Sequence, residues 1–540
     1  MCCVAALITA LNRPHMNLLD LTESLGLKVV SGDGGVEISD LTDDSRRVGA
    51  GFLFVARGEG SGDERWRGFV ADAVTRGASA VVAPVAVDVP DGVALAVPEQ
   101  ADTPIDQPFA GRLAAEFFGH PAKRLKLIGV TGTNGKTTVA TLTQYLLNAA
   151  GTKTGLLGTI AIDHGSPNGP LTAELTTPGA IDLHRHFAAM VAQGCEACAM
   201  EVSSHALDQG RVDGLEFDVA VFTNITQDHL DYHGTMENYA AAKAKLFKSL
   251  DHERDAVAVL NADDPSWHKM VPSWKVMKFF TRLQPDPEKG IPGGIRAEYF
   301  SARIESLAVS HSTVNLSGPM ARDSGGIKVK LPVVGQHSVS NVLQAVAAAY
   351  AVKTCPADQL ATNLFNCPQV PGRLEVVRAK TLKVPTVLVD YAHTPDALSN
   401  VLRALNSLVK DSGRFIVVFG CGGDRDRTKR PLMAQAACGL ADITVLTSDN
   451  PRTEDPQQIL DDAIAGVPTE AKHKLIVEID RAKAIESAIL NASADDTVLI
   501  AGKGHEDYQI LGTEKIHFDD REHAAAALEK WVAQHGGDAA

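Results

Sequence analysis

Residues 129–138, Gly-Val-Thr-Gly-Thr-Asn-Gly-Lys-Thr-Thr, constrain the fold more than any other stretch of the chain. The apolar run 125–130 ahead of them reads as a buried strand. Behind them, residues 137–150 carry Val139, Leu142, Leu146 and Leu147 at the spacing of a helix face, closed by Gly151. A glycine-rich turn between strand and helix aims free backbone N–H groups at one spot, and the helix N-terminus adds positive potential there. Lys136 supplies a mobile cation and Thr137 a hydroxyl suited to Mg²⁺. Such a turn holds a nucleoside triphosphate through Gly132, Thr133, Asn134, Gly135, Lys136, Thr137 and Thr138. The strict pattern G-x-x-x-x-G-K-[ST] is not met, because Val130 stands at its first glycine. The alternative is an ordinary Gly-rich turn, and the Lys-Thr pair after the last glycine argues against it.

The chain has 540 residues, room for three or four domains of about 150 residues. A net charge of −15 argues against a nucleic-acid scaffold, which usually carries a basic face. No apolar run approaches the roughly 20 residues needed to span a bilayer, so membrane insertion is not expected. Residues 1–11 are mildly apolar but lack a basic segment, which argues against a secretion signal and for a cytoplasmic protein. Met16 is a candidate start, with residues 1–15 an extension. Eight scattered cysteines fit a reducing compartment. Cys195 and Cys198 lie in an apolar run, 195–202, and read as two packed thiols rather than half a zinc site.

The alternation of strands and helices predicts an α/β protein of three domains. Residues 17–120 form a small mixed α/β domain, with strands at 52–56 and 80–83 around a helix at 69–76. Residues 121–370 form a doubly wound domain around the phosphate-binding turn, with strands at 125–130, 197–202, 219–223 and 257–260. Its later part, 277–330, is β-rich, and 335–352 is an alanine-rich helix. Residues 371–540 restart the alternation as a Rossmann-like domain with strands at 386–389, 415–419, 443–447, 475–479 and 498–501. Polar loops follow four of these at 390–393, 422–425, 449–452 and 502–506. Open α/β sheets bind ligands beyond the carboxyl ends of their strands, so this rim reads as a second binding site; the alternative is plain surface turns.

Other side chains carry chemistry near these ends. Glu201 closes a strand beside the phosphate turn, where a carboxylate can complete the Mg²⁺ shell that Thr137 starts. Residues 224–233 hold Asn224, Asp228, His229, Asp231 and His233, dense enough for a second metal and equally fit for a hydrogen-bonded loop. Lys243 and Lys245 lie on a helix at 239–250 and on spacing alone read as solvated charges. In the last domain Arg425, Arg427, Lys429, Arg430, Arg452 and Lys503 focus positive charge, while Asp449 and Glu506 offer the opposite sign. Together they describe a pocket for a zwitterionic amino acid, or a set of surface ion pairs.

With these motifs in view, the chain resembles the Mur ligases of peptidoglycan synthesis. The resemblance runs from about residue 18 to 535. It rests on Thr-Gly-Thr-Asn-Gly-Lys-Thr at 131–137, Met-Glu-Val-Ser-Ser-His at 200–205, Asp-His-Leu-Asp-Tyr-His-Gly at 228–234 and Asp-Asn-Pro-Arg at 449–452. It is closest to the branch that adds the third residue of the stem peptide, with ATP as energy source. The Asp-Asn-Pro-Arg motif is similar to the version that selects meso-diaminopimelate over lysine. Arg452 would take the second carboxylate that lysine lacks, and Arg425, Asp449, Asn450, Pro451, Gly502 and Glu506 match the other positions around this amino acid. The resemblance implies a CO₂-derived carbamate on Lys243 (N6-carboxylysine) and two Mg²⁺ ions, one held by Thr137 and Glu201 and one by His229 and Lys243. Lys136, Glu201, His229 and Lys243 are then the catalytic set. Ser45, Thr176, Thr177, Ser203, Gln209 and Arg211 match contacts to UDP-MurNAc-L-Ala-D-Glu. Asn341 and Arg373 resemble residues near the adenine and phosphates. A monomer whose domains close over the site is expected. Two departures stand out: residues 58–67 lack the family's usual uracil-side sequence, and Leu175 replaces an Asn found in some members. A folylpolyglutamate synthase-type ligase, a kinase and a nucleotide-regulated binding module remain as alternatives.

Overall fold

The computed structural model describes residues 16–58, 65–101, 103–251, 255–284, 297–321, 325–354, 356–379, 384–409 and 413–535. Residues 1–15, and 59–64 of the uracil-side segment, lie outside the described residues. The chain forms two compact units. Among the described residues the first takes in the chain up to Arg282 with 297–300 and 344–360, and the second takes in the remainder.

The first unit opens with a five-stranded sheet of β1 (Leu27–Ser31), β2 (Asp40–Thr42), β3 (Phe52–Val55), β4 (Ala80–Val82) and β5 (Ala94–Pro98), in the order β1-β5-β4-β3-β2. The predicted helix at 69–76 starts earlier, as α1 (Arg65–Thr75). Helix α2 (Gln107–Phe118) begins at Asp106, whose side chain accepts from the Phe109 N–H, and stops at Gly119 in the left-handed conformation.

The larger sheet of this unit contains β6 (Lys126–Thr131), β7 (Thr154–Leu157), β8 (Ile162–Asp163), β9 (Ala197–Glu201), β10 (Val219–Phe222), β11 (Val257–Asn261) and β12 (Met277–Leu283), in the order β12-β11-β10-β6-β9-β7-β8. All but the β7–β8 pair run parallel. The strands are buried nearly throughout, which is why they read as unbroken apolar runs rather than alternating ones. Strand β6 sits at the reversal of strand order, so its carboxyl end faces the crevice where such sheets bind ligands. Helix α3 (Lys136–Ala149) follows it and buries Val139, Leu142, Leu146 and Leu147. Helix α4 (Ala180–Ala192) joins the two sheets. Its Arg185 is buried and donates to Asp40, to the Leu41 carbonyl and to Asp182, while Arg47 holds Asp182 at 2.8 and 3.1 Å. Helix α5 (Met236–Lys248) starts at Thr235, whose side chain accepts from the Asn238 N–H.

The β-rich stretch predicted after residue 277 continues as β13 (Ala297–Leu307), β14 (Ser312–Ser317) and β15 (Ile327–Leu331), joined antiparallel. The alanine-rich helix is α6 (Gly335–Val352). The second unit is built on β16 (Glu375–Val377), β17 (Thr386–Asp390), β18 (Phe415–Cys421), β19 (Ile443–Ser448), β20 (Leu475–Val477) and β21 (Thr497–Ala501), in the order β16-β17-β21-β18-β19-β20. Only β16 is antiparallel. Two apolar layers cover the sheet, one centred on Leu402, Phe419 and Leu460, the other on Ile485, Ile500 and Trp531. Helices Pro395–Val409, Lys429–Leu440 and Pro456–Ile464 pack on it, with helix α7 (Arg481–Leu490), the hairpin β22 (Tyr508–Leu511)–β23 (Glu514–His517) and helix α8 (Asp520–His535).

Candidate active site

The glycine-rich turn forms between strand and helix where the sequence placed it. Val130 is fully buried inside β6, so the strict pattern fails because its first position belongs to the strand. Gly132 has φ of +151°, and a Cβ there would lie 1.9 Å from Thr223 Oγ1. Gly135, at φ +86°, precedes α3. The turn is braced from the end of β10. The Thr133 N–H donates to the Asn224 carbonyl at 2.8 Å, the Asn134 N–H to Asn224 Oδ1 at 3.0 Å, and Thr223 Oγ1 to the Asn134 carbonyl at 2.6 Å. Lys136 Nζ donates to the carbonyls of Gly132 and Thr133 at 3.0 and 2.8 Å, so its cation lies over the mouth of the turn.

Register puts Glu201 at the end of β9 opposite Val130 on β6. Its buried carboxylate accepts from Thr137 Oγ1 at 3.0 Å, from the Thr159 N–H at 2.7 Å and from Thr159 Oγ1 at 3.2 Å. A hydroxyl and a carboxylate oxygen in contact at a phosphate-binding turn are a donor set that fits Mg²⁺. Gly158 keeps this place open, since a Cβ there would lie 2.5 Å from Glu201 Oε1. Thr159 and Gly158 are absent from the sequence-derived site; the Gly-Thr step just after a buried strand is the signal that could have found them.

Lys243 lies buried on α5, and its Nζ donates to the Gly132 carbonyl at 2.9 Å and sits 4.4 Å from the Tyr239 ring centroid. The expectation of a solvated charge therefore gives way for Lys243, whereas Lys245 pairs with Asp208 near the surface. Burial, followed by the charge of Lys136, holds the Lys243 amine well below the ordinary lysine range. An amine with an accessible neutral form can attack CO₂, so this environment fits the carbamate that the resemblance implies. His229, at φ +52°, is likewise kept below its usual pKa by burial and by His205, Lys136 and Lys243, with Asp228 opposing. A neutral imidazole is the form that binds a metal. Two other residues of the 224–233 loop have partners within the fold. Asn224 braces the turn, and His233 bonds Ser204 Oγ at 3.0 Å. Among the described residues no group of three or more His, Cys, Asp or Glu converges as a metal site.

Five of the expected muramoyl-peptide residues gather behind Glu201. Thr176 Oγ1 is 3.0 Å from Thr159 Oγ1, and Thr177 Oγ1 donates to the Glu201 carbonyl at 2.9 Å. The Ser203 N–H donates to Thr177 Oγ1 at 3.0 Å, and Arg211 spans the Thr177 carbonyl and Gln209 Oε1. Leu175 beside them is exposed. Ser45 stands apart, buried in a 3-10 turn of the N-terminal sheet that Asp44 caps.

In the second unit the four polar loops do share the carboxyl rim of the sheet. Asp449, Asn450 and Lys503 are buried, and Asn450 Nδ2 donates to Glu506 Oε2 at 3.0 Å. Gly502, at φ +119°, has no room for a Cβ, which would lie 2.7 Å from Asp449 Oδ2. Pro451 is buried before Arg452, which takes φ +52°. One guanidinium nitrogen of Arg452 donates to the Gly423 carbonyl at 2.8 Å, and weakly to that of Asn450. Its Nε and Nη2 make no hydrogen bond among the described residues, and neither does the exposed Arg425. The positive focus is narrower than the sequence suggests. Arg430 is buried against Glu454 and Asp462, and Arg427 pairs with Glu454. Asn341 lies on α6, and the Arg373 guanidinium sits 5.0 Å from the Tyr391 ring centroid. The Cys195 and Cys198 thiols are free, buried and raised in pKa by burial, as packed thiols should be.

Residues 130–349 match the Mur ligase middle domain, and residues 372–504 match the Mur ligase, glutamate ligase domain. The chain belongs to the Mur ligase family. It is 46% identical over 521 residues to a UDP-N-acetylmuramoyl-L-alanyl-D-glutamate–2,6-diaminopimelate ligase of Synechococcus elongatus, covering 95% of this chain and 99% of that one. A ligase of the same name from Geobacillus kaustophilus is 44% identical over 524 residues, covering 95% and 100%. A solved structure of a ligase of that name aligns with a TM-score of 0.63 at 32% identity, covering 97% of this chain and 100% of the other. A Mycobacterium tuberculosis folylpolyglutamate synthase shares the fold alone, at 20% identity and a TM-score of 0.54 over 73% of this chain and 92% of that one.

Proposed function

We propose that this chain is an ATP-dependent ligase that joins meso-diaminopimelate to UDP-MurNAc-L-Ala-D-Glu by an amide bond, in the synthesis of the peptidoglycan precursor. Membership of the Mur ligase family sets the reaction type. The observation that carries the choice of amino acid is Arg452, whose guanidinium is anchored through one nitrogen while the rest of its fork is unbonded. A distal carboxylate is the group such a fork recognises, and lysine has none.

In the reaction the D-glutamate carboxylate attacks the γ-phosphorus of ATP, and ADP leaves. An amine of diaminopimelate then attacks the acyl phosphate, loses a proton and expels phosphate. The turn at 132–138 cradles the phosphates, and Lys136 offsets charge growing on the transferred group. Thr137 and Glu201 would hold one Mg²⁺, His229 and a carbamylated Lys243 a second. These ions would supply further charge neutralisation on the phosphoryl oxygens. Thr176, Thr177, Ser203, Gln209 and Arg211 orient the muramoyl dipeptide, with Ser45 toward the uridine. Asn341 and Arg373 contact ATP. Asp449 and Glu506 meet ammonium groups of diaminopimelate, while Arg425, Asn450, Pro451, Arg452 and Gly502 shape its pocket.

The chain divides into domains at 17–120, 121–370 and 371–540 and acts as a monomer in the cytoplasm. Among the described residues no helix is long and apolar enough to cross a membrane. The test is product formation from ATP, UDP-MurNAc-L-Ala-D-Glu and diaminopimelate. Phosphate release should accompany a nucleotide product heavier by one diaminopimelate less water. Phosphate release without that product would refute the proposal.

A further inference from the structure

Lys503 lies behind the surface of the amino-acid rim. It has no exposed surface, yet its Nζ lies among all the acidic and amide groups of the pocket. It donates to Asn450 Oδ1 at 2.9 Å and to the Tyr508 carbonyl at 2.7 Å. It stands 3.6 Å from Asp449 Oδ1 and 3.5 Å from Glu506 Oε2. The Ile510 N–H also donates to Asn450 Oδ1, so that oxygen is held from two sides. Its amide nitrogen is thereby turned to Glu506, to which it donates at 3.0 Å. A lysine in this place decides which way the amide faces and keeps two buried carboxylates apart in charge.

We propose that Lys503 is a positioning residue for the amino-acid substrate, whose buried ammonium holds Asp449, Asn450 and Glu506 as one preformed acceptor for substrate ammonium groups. This rests on the reading of the rim as the amino-acid site. A buried cation between two carboxylates offsets part of their mutual repulsion and leaves the cluster an acceptor for substrate ammonium groups. Burial and the neighbouring Asp449 raise the Glu506 pKa, and Lys503 and Asn450 oppose them. The other charged or titratable groups facing Glu506 are Tyr391 beyond β17, Tyr508 on β22 and Arg481 on α7. Arg481 is already neutralised by Asp520 at 2.7 Å. Lys503 is thus the cation whose loss leaves Glu506 facing Asp449 uncompensated.

The test is Lys503→Met, assayed for the KM of each substrate across about pH 6 to 9. Without the cation Glu506 takes up a proton at higher pH and ceases to attract an ammonium. The KM for diaminopimelate should rise about tenfold near neutral pH, grow further as pH falls and recover toward pH 9. The KM values for ATP and UDP-MurNAc-L-Ala-D-Glu should stay within about twofold. A wild-type pH profile for diaminopimelate, or an equal rise in all three KM values, would overturn the proposal. Should Lys503→Met fail to fold, Lys503→Arg decides. Its retained charge should preserve the wild-type pH profile while raising the KM for the amino acid alone, and an equal change in all three KM values would again refute the role. If the wild-type enzyme uses a different amino acid, the substrate assignment falls, and the same pH comparison on that amino acid still tests Lys503.

Discussion

Replacing Arg452 by alanine isolates the recognition of the distal carboxylate. The guanidinium gives the fold one good hydrogen bond, to the Gly423 carbonyl at 2.8 Å, at a partly exposed position. Its removal costs the fold about 1 kcal/mol or less. Alanine tolerates the φ of +52° about as well as arginine does, so backbone strain is unchanged. The substrate loses more. A charge-assisted pair to a carboxylate is worth about 1.5–3 kcal/mol, which converts to about a 10- to 150-fold fall in kcat/KM. Lysine lacks that carboxylate, so its poor kcat/KM should change little, and the preference for diaminopimelate should shrink by the same factor. Steady-state phosphate release with each amino acid, beside a thermal unfolding curve, reads both effects. An equal fall for both amino acids, or no fall for diaminopimelate, would refute the role given to Arg452.

Other consequences are as direct. Lys243→Ala should abolish activity while short carboxylic acids restore part of it, and protein held in ¹³CO₂ should give a carbamate carbon resonance that the variant lacks. Neither restoration nor resonance would remove the carbamate from the account. Gly502→Ala places a Cβ 2.7 Å from Asp449 Oδ2 at φ +119°, with strain of about 1–3 kcal/mol. It should weaken the binding of diaminopimelate and leave that of ATP unchanged, and isothermal titration with each ligand checks this. Burial lowers the pKa of His184 to about 4 and of His186 to about 3, so both are neutral in the fold. The unfolded chain takes up these protons first. Stability from each is therefore present above about pH 6.5 and lost as pH falls toward the folded value, by about 1.4 kcal/mol per pH unit. Thermal midpoints measured from neutral pH downward should fall more steeply for the wild type than for His184→Asn, and parallel curves would contradict the assignment.

What could be read in advance divides along a physical line. Parallel strands buried on both faces announce themselves as apolar runs, and the turn at 129–138 carries its chemistry in consecutive residues. The same holds for Asp449 to Arg452, where one loop supplies both the buried acid and the guanidinium. Partnership across the fold is different. Nothing local distinguishes Arg425, left unbonded, from Arg430, buried against Glu454 and Asp462. Asn224 looks like a metal-loop residue until register sets it against the phosphate turn. Lys243 has the spacing of a surface lysine, and its altered acidity follows from the packing of α5 under Gly132, which buries it beside Lys136. Thr159, and the burial of Lys503 among Asp449, Asn450 and Glu506, become legible once the sheets are assembled.

The amine that the ligase selects decides its place in peptidoglycan synthesis. One competition measures it: ATP and UDP-MurNAc-L-Ala-D-Glu with equal amounts of meso-diaminopimelate, lysine and glutamate, and the nucleotide products weighed by mass spectrometry. The diaminopimelate adduct should form almost alone. A lysine or glutamate adduct in comparable amount would contradict the account at its centre.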